Sequence, residues 1–248
     1  MKKLLLAFVC LFALASLVAC GEETNTEKEY KLGMGIVVST ASSENAKTAQ
    51  IDATVAAVVV ENGKIVACRL DAVQNKIAVS AEGVLTVPTT FKTKMELGDD
   101  YNMAKYGQSM DWNKDGVVKE WYDQAKAFEA HVVGKTAQEV KDMPTQVVEG
   151  AGYVISAEEA LLAAGCTIQI TDFKEAVAKA CEDAQGVTFK TSKTFTLGVA
   201  ADSFNDGSKD ATAEAAGAVQ VYSDFAASVV VDGKIVASLN DAIQPKFA

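Results

Sequence analysis

The chain has 248 residues, with 23 basic against 33 acidic side chains, a formal charge of −10 and a single histidine. Only one basic residue, Arg69, is an arginine, and no stretch clusters lysines as a phosphate-gripping face would, so nucleic acid is not an expected partner. An apolar content of 49% is enough to build a core. The five cysteines show neither Cys-x-x-Cys nor Cys/His zinc spacing, and there is no Ser-His-Asp set, phosphate loop or metal triad, so the residues make no case for an enzyme.

Lys2 and Lys3 precede a 14-residue run, Leu4 to Leu17, that is apolar except for Ser16 and too short for a membrane span. Leu17-Val18-Ala19-Cys20 follows, which completes the charged, apolar, small-residue order of a secretory signal. The motif resembles the lipobox of bacterial lipoproteins. That resemblance implies cleavage before Cys20, acylation of its thiol, and attachment to the outer face of the cell membrane or to the outer membrane. Residues 1–19 are thus read as a signal peptide and 20–29 as a polar tether. The mature chain carries a formal charge of −12.

An internal repeat organises the rest. Residues 61–78 (ENGKIVACRLDAVQNKIA) and 231–248 (VDGKIVASLNDAIQPKFA) are identical at ten of eighteen positions. Upstream, Lys31-Leu32-Gly33 matches Thr196-Leu197-Gly198 loosely, with five extra residues before the second hairpin. Asn62-Gly63 and Asp232-Gly233 are residues that tolerate positive φ at both centres of a tight turn, so each copy reads as a β-hairpin. The flanking strands are expected over Gln50–Val60 with Lys64–Leu70, and over Ala218–Val231 with Lys234–Leu239. Earlier strands, Lys31–Thr40 and Phe195–Ala201, are expected to pair with them. Val, Ile and Ala fall on both faces, which suggests strands covered on both sides.

Between the copies the period changes to that of helices. Trp121, Ala125, Phe128 and Val132 share one face of a helix over Val118–Val132, and Gly134 suits its end. Thr136 and Glu139 read as a capping box, as do Ser156 and Glu159 before a helix ended by Gly165. A third helix starts near Thr171 with a stripe of Phe173, Ala176, Val177, Ala180, Cys181 and Ala184. The expected fold is α+β: an antiparallel sheet built from two copies of a hairpin unit that share it, with the helical insert packed on top. The organisation is 30–97 as β-rich repeat 1, 98–187 as loop and helical insert, and 188–248 as β-rich repeat 2, with 30–248 one compact domain.

Several residues could carry function. Asp71/Gln74 and Asp241/Gln244 recur in both copies just after a strand. They could present a carboxylate and an amide to a ligand, or bond their own turn backbone. The long segment Phe91–Asp111 brings Tyr101 and Tyr106 close to Trp112, and suits a lid that stacks on a ligand. Asp111, Asn113 and Asp115, followed by Gly116, have the opening of a Ca²⁺ loop, although Tyr122 stands where its closing Glu would be. Tyr30-Lys31-Leu32-Gly33-Met34-Gly35, the Val-rich strand and Asn62-Gly63-Lys64-Ile65 resemble the first half of the FMN-binding domain of membrane redox complexes and exported flavoproteins. Ala164-Gly165-Cys166-Thr167 stands at that family's flavin-attachment motif, with Ala164 and Cys166 in place of its Ser and Ala. The resemblance implies FMN on Thr167 through a phosphoester. The reading from the residues alone is a lipid-anchored ligand-binding or interaction protein, its partner a small molecule or an envelope protein, with no cofactor expected. The alternatives are FMN, in an extracytoplasmic flavin-binding electron-transfer protein, and Ca²⁺.

Overall fold

A computed structural model describes residues 26–109, 118–149, 152–184 and 186–247. The strands of the first copy are β1 (Lys28–Ser39), β2 (Thr48–Glu61), β3 (Lys64–Val79) and the short β4 (Leu85–Thr86). Then come α1 (Lys94–Leu97), a 3-10 turn over Gly98–Tyr101, α2 (Met103–Gln108), α3 (Trp121–Val132) and α4 (Ala137–Lys141). A small hairpin, β5 (Thr145–Val147) and β6 (Val154–Ser156), leads to α5 (Glu159–Ala163) and α6 (Thr171–Asp183). The chain returns to strands with β7 (Val187–Thr191), β8 (Thr196–Asn205), β9 (Val219–Val231), β10 (Lys234–Ile243) and β11 (Lys246–Phe247). Every strand pairing is antiparallel, so the fold is α+β as the sequence implies.

The duplication extends beyond the hairpin to a three-strand meander. Leu32 pairs with Val59 as Leu197 pairs with Val229, which puts β1–β2 and β8–β9 in the same register. Asn62 and Gly63 take φ of 52° and 79°, and Asp232 and Gly233 take 48° and 74°, so both hairpins turn on two left-handed residues. Both returning strands then carry one extra residue, Val66 and Val236, in a bulge at the same place.

The copies do not share one sheet. The first meander belongs to a five-stranded sheet in the order β4-β3-β2-β1-β7, and the second forms a separate sheet of β8, β9, β10 and β11. The cause lies in β2, where both faces are apolar: Ala53, Val55, Ala57 and Val59 meet the second sheet, while Ala56, Val58 and Val60 meet the helices. A strand buried on both sides needs a layer on each, and the second meander supplies one of them. The result is helices, first sheet, second sheet. The second sheet is covered on its inner face only, which shows in the alternating burial of β9. β7 joins the first sheet beside β1, and through it Lys28 and Glu29, read above as tether, are drawn into strand.

The helices follow their stripes. Trp121, Ala125, Phe128 and Val132 are all buried against β3 together with Phe173, Ala176, Val177 and Ala180 of α6. Thr136 and Glu139 form the expected capping box. Ser156 and Glu159 do not: Ser156 lies in β6, its hydroxyl accepts from the Glu158 amide at 3.0 Å, and α5 starts one residue later. Among the described residues no helix is long and apolar enough to cross a membrane.

Candidate functional site

The segment after Phe91 is folded rather than structureless. Thr93 and Glu96 close a capping box on α1, and the chain is fastened at three more points. The Met95 amide donates to Asp71 Oδ1 at 3.2 Å, the Met103 amide to Glu120 Oε2 at 2.9 Å, and the Tyr122 hydroxyl to Asp99 Oδ1 at 3.0 Å. α1 and α2 are thereby held over the start of α3, and a cavity of about 300 Å³ opens among α1, α2, α3, the residues before α6, and β2.

Four side chains define its character. Trp121 and Phe173 meet edge to face, with centroids 5.7 Å apart, and form an apolar wall. The Lys94 ammonium lies 4.8 Å from the Tyr101 ring centre and 5.6 Å from that of Trp121, a cation held over two aromatic faces. Asp172, in the first turn of α6, reaches the same space. Asp172 is itself exposed; partial desolvation and then Glu175 raise its carboxyl from the usual 3.8, while Lys94 draws it down.

Gln124, one turn along α3 from Trp121, organises the adjoining wall. Its side chain is 1% exposed, and its Nε2 donates to the Lys119 carbonyl at 2.8 Å. Its Oε1 accepts the amides of Thr167 and Ile168 at 2.8 and 3.0 Å. This bond set ties the loop before α6 to α3 and places Thr167 on the cavity wall, where Tyr106, 60% exposed, stands at the opening. Thr54, on the helix-facing side of β2 and 8% exposed, also lines the cavity. Its hydroxyl meets no hydrogen-bond partner among the described residues.

The residues singled out by the sequence are therefore spread over the molecule. Tyr106 and Thr167 share the cavity; Asp71 and Asp241 do not line it. Asp71 and Gln74 lie within β3, which runs nine residues past Leu70. Asp71 is buried, and burial raises its carboxyl, while the Thr93 hydroxyl and the Ala72 and Met95 amides lower it. It pins α1, and with it Lys94, to β3. Asp241 lies exposed on β10 and accepts its neighbouring amide, Ala242, at 2.7 Å, a bond that Asp71 repeats with Ala72. Gln244 donates to the Tyr222 hydroxyl. Tyr101 is half-buried beneath Lys94. Cys20, Asp111, Trp112, Asn113 and Asp115 lie outside the described residues. Among the described residues no group of three or more His, Cys, Asp or Glu is placed to hold a metal. Cys68, Cys166 and Cys181 are free thiols, the first two buried and the third half-buried, and burial pushes the latter two up to about 12.

In sequence reasoning Trp121 and Phe173 count as core, and Thr54 as an ordinary strand residue. The available signal was the single hydroxyl at position 54 among Ala56, Val58 and Val60, which share its face of β2. No family model, no curated protein and no solved structure matches the chain.

Proposed function

We propose that the chain is a lipid-anchored extracytoplasmic protein that binds a small molecule in the cavity walled by Trp121 and Phe173. The cavity carries this reading: about 300 Å³, apolar walls and a few convergent polar groups are the character of a small-molecule site. A thermal-shift screen of flavins, sugars, amines and amino acids tests it. A true ligand raises the melting temperature, and the rise shrinks in Tyr106→Ala, an exposed position whose loss leaves the core intact. A rise that Tyr106→Ala leaves unchanged puts the site elsewhere. The anchoring rests on the lipobox. Cys20→Ala is expected to move the protein from the membrane fraction to periplasm or medium, and retention of that variant through salt and carbonate washes defeats the lipoprotein reading.

A second reading, a flavin-carrying electron-transfer protein, is favoured by one observation: Thr167, which matches the attachment threonine of the FMN-binding domain, lies on the wall of this cavity. The residues fit such a group, with the Thr167 hydroxyl at the wall and Trp121 and Tyr106 available to the ring. A flavin bound there would supply electron transfer, while Gln124 holds Thr167 in place. The intact mass of the protein from its native host decides, since covalent FMN adds its mass to the chain and Thr167→Ala removes it.

A further inference from the structure

Three of the cavity's polar groups point to a class of ligand. Thr54 is more than nine-tenths buried, and an unpaired hydroxyl in such a place costs free energy that a ligand's hydrogen bond can recover. Lys94 and Asp172 face the same space, and neither takes part in any ion pair among the described residues. One cation and one anion suit a ligand that carries one of each. A purely anionic ligand would meet Asp172 and a chain of net charge −10, and a purely cationic one would meet Lys94. Gln124 is committed to Lys119, Thr167 and Ile168, which leaves Lys94, Asp172 and Thr54 as the groups on which this inference rests. Trp121, Phe173 and Met103 give the cavity an apolar, largely aromatic part of its lining.

We infer that the cavity takes a free aromatic amino acid with a polar ring tip, tyrosine or tryptophan. Its carboxylate lies at Lys94, its ammonium at Asp172, its ring against Trp121 and Phe173, and its ring tip at the Thr54 hydroxyl. The inference rests on the binding reading above. It also explains why Lys94 is held over Tyr101 and Trp121 rather than paired with a carboxylate: the ring faces fix the cation while leaving it open to a ligand.

The test is calorimetric titration of the full-length chain in mild detergent with L-tyrosine, L-tryptophan, L-phenylalanine, tyrosine methyl ester, N-acetyltyrosine, glucose and FMN. Tyrosine or tryptophan is expected to bind at least about tenfold more tightly than phenylalanine, because only the former satisfy Thr54. Thr54→Val, near in shape, removes that preference and leaves phenylalanine binding unchanged, a pattern that a merely unfolded variant cannot produce. Lys94→Gln weakens tyrosine but not its methyl ester, and Asp172→Asn weakens tyrosine but not N-acetyltyrosine. Binding of FMN or glucose with no amino acid binding, sensitive to Tyr106→Ala, overturns the amino-acid assignment and keeps the site. Amino acid binding indifferent to Thr54, Lys94 and Asp172 overturns the assignment as well. If none of these probes binds, the assignment falls, and the thermal-shift screen alone decides the site.

Discussion

Glu129 shows how one buried carboxylate can be both a fastener and a cost. It sits on α3 at 5% exposure, where Oε1 accepts the Leu70 amide at 2.8 Å and Oε2 accepts Arg69 Nη1 at 3.2 Å. Burial raises its carboxyl above the usual 4.5, against the pull of the Leu70 amide and of Arg69. Arg69 is half exposed, so its attraction is screened by water and does not cancel the burial. With the folded-state value above the unfolded one, the native state holds the proton more tightly. The penalty is absent below the unfolded value, grows as pH rises from about 4.5 through the raised value, and stays constant beyond it. Glu129→Gln keeps an acceptor for the Leu70 amide and removes the charge. It is expected to match or exceed the parent in stability at neutral pH, and to flatten the stability profile above pH 4.5. Glu129→Ala orphans the amide and is expected to cost about 1–3 kcal/mol. Urea denaturation across pH 4–8 (on the order of the range over which carboxylates titrate) distinguishes the two, and a Gln variant less stable than the Ala variant at neutral pH contradicts this account of the bond.

The two meanders share register, turn and bulge, yet only the first supports a helix. α6 lies so close on β1 that a Cβ on Gly33 would come within 1.9 Å of the Ala180 carbonyl oxygen, and one on Gly35 within 2.3 Å of that of Ala176. Gly198, the counterpart of Gly33 in β8, meets nothing nearer than the Ser228 carbonyl at 4.0 Å. Gly33→Ala must therefore push α6 off the sheet, at an expected cost of about 2–3 kcal/mol or more, whereas Gly198→Ala is expected to fall within about 0.5 kcal/mol of the parent. Equal urea midpoints for the two variants would refute close docking of α6. This asymmetry marks where sequence reading succeeds and where it stops. The hairpins were legible because Asn-Gly and Asp-Gly allow few other turns, and α3 and α6 because Trp121–Val132 and Phe173–Ala184 repeat at helical spacing. That the copies face each other in separate sheets is implied only weakly, by the two-sided Val/Ala run of β2. The fold of 91–108 has its sequence signal in Thr93 and Glu96, a capping pair that stands among aromatic residues. The isolation of Thr54 is a three-dimensional fact, since it depends on what α1, α3 and α6 fail to offer its hydroxyl.

The meanders are packed reciprocally: the third strand of each lies against the first strand of the other, β3 on β8 and β10 on β1. Neither inner face is a complete core alone. Leu32, Met34, Val55 and Val59 from one sheet and Leu197, Phe225 and Val229 from the other become buried only together, and each such side chain contributes about 1.5–3 kcal/mol when removed from water. A buried polar knot crosses this seam. Asn75 Nδ2 donates to Ser203 Oγ at 3.0 Å and to Ser223 Oγ at 3.1 Å, and the two serines bond each other at 2.8 Å. The three are buried, so their bonds cannot be exchanged for water without opening the seam. If the layers depend on each other in this way, the chain unfolds in one step. Tryptophan fluorescence, to which Trp121 in the helix layer contributes, and far-UV circular dichroism, dominated by both sheets, are then expected to share one urea midpoint. Asn75→Ala opens a gap at the seam and leaves only the serine pair, at an expected cost of about 1–3 kcal/mol. Both signals should shift by the same amount, although Trp121 lies on the far side of the first sheet from the mutated site. Two separated transitions, or a shift confined to the dichroism, would show that the second meander folds on its own and that the seam does not bind the layers into one unit.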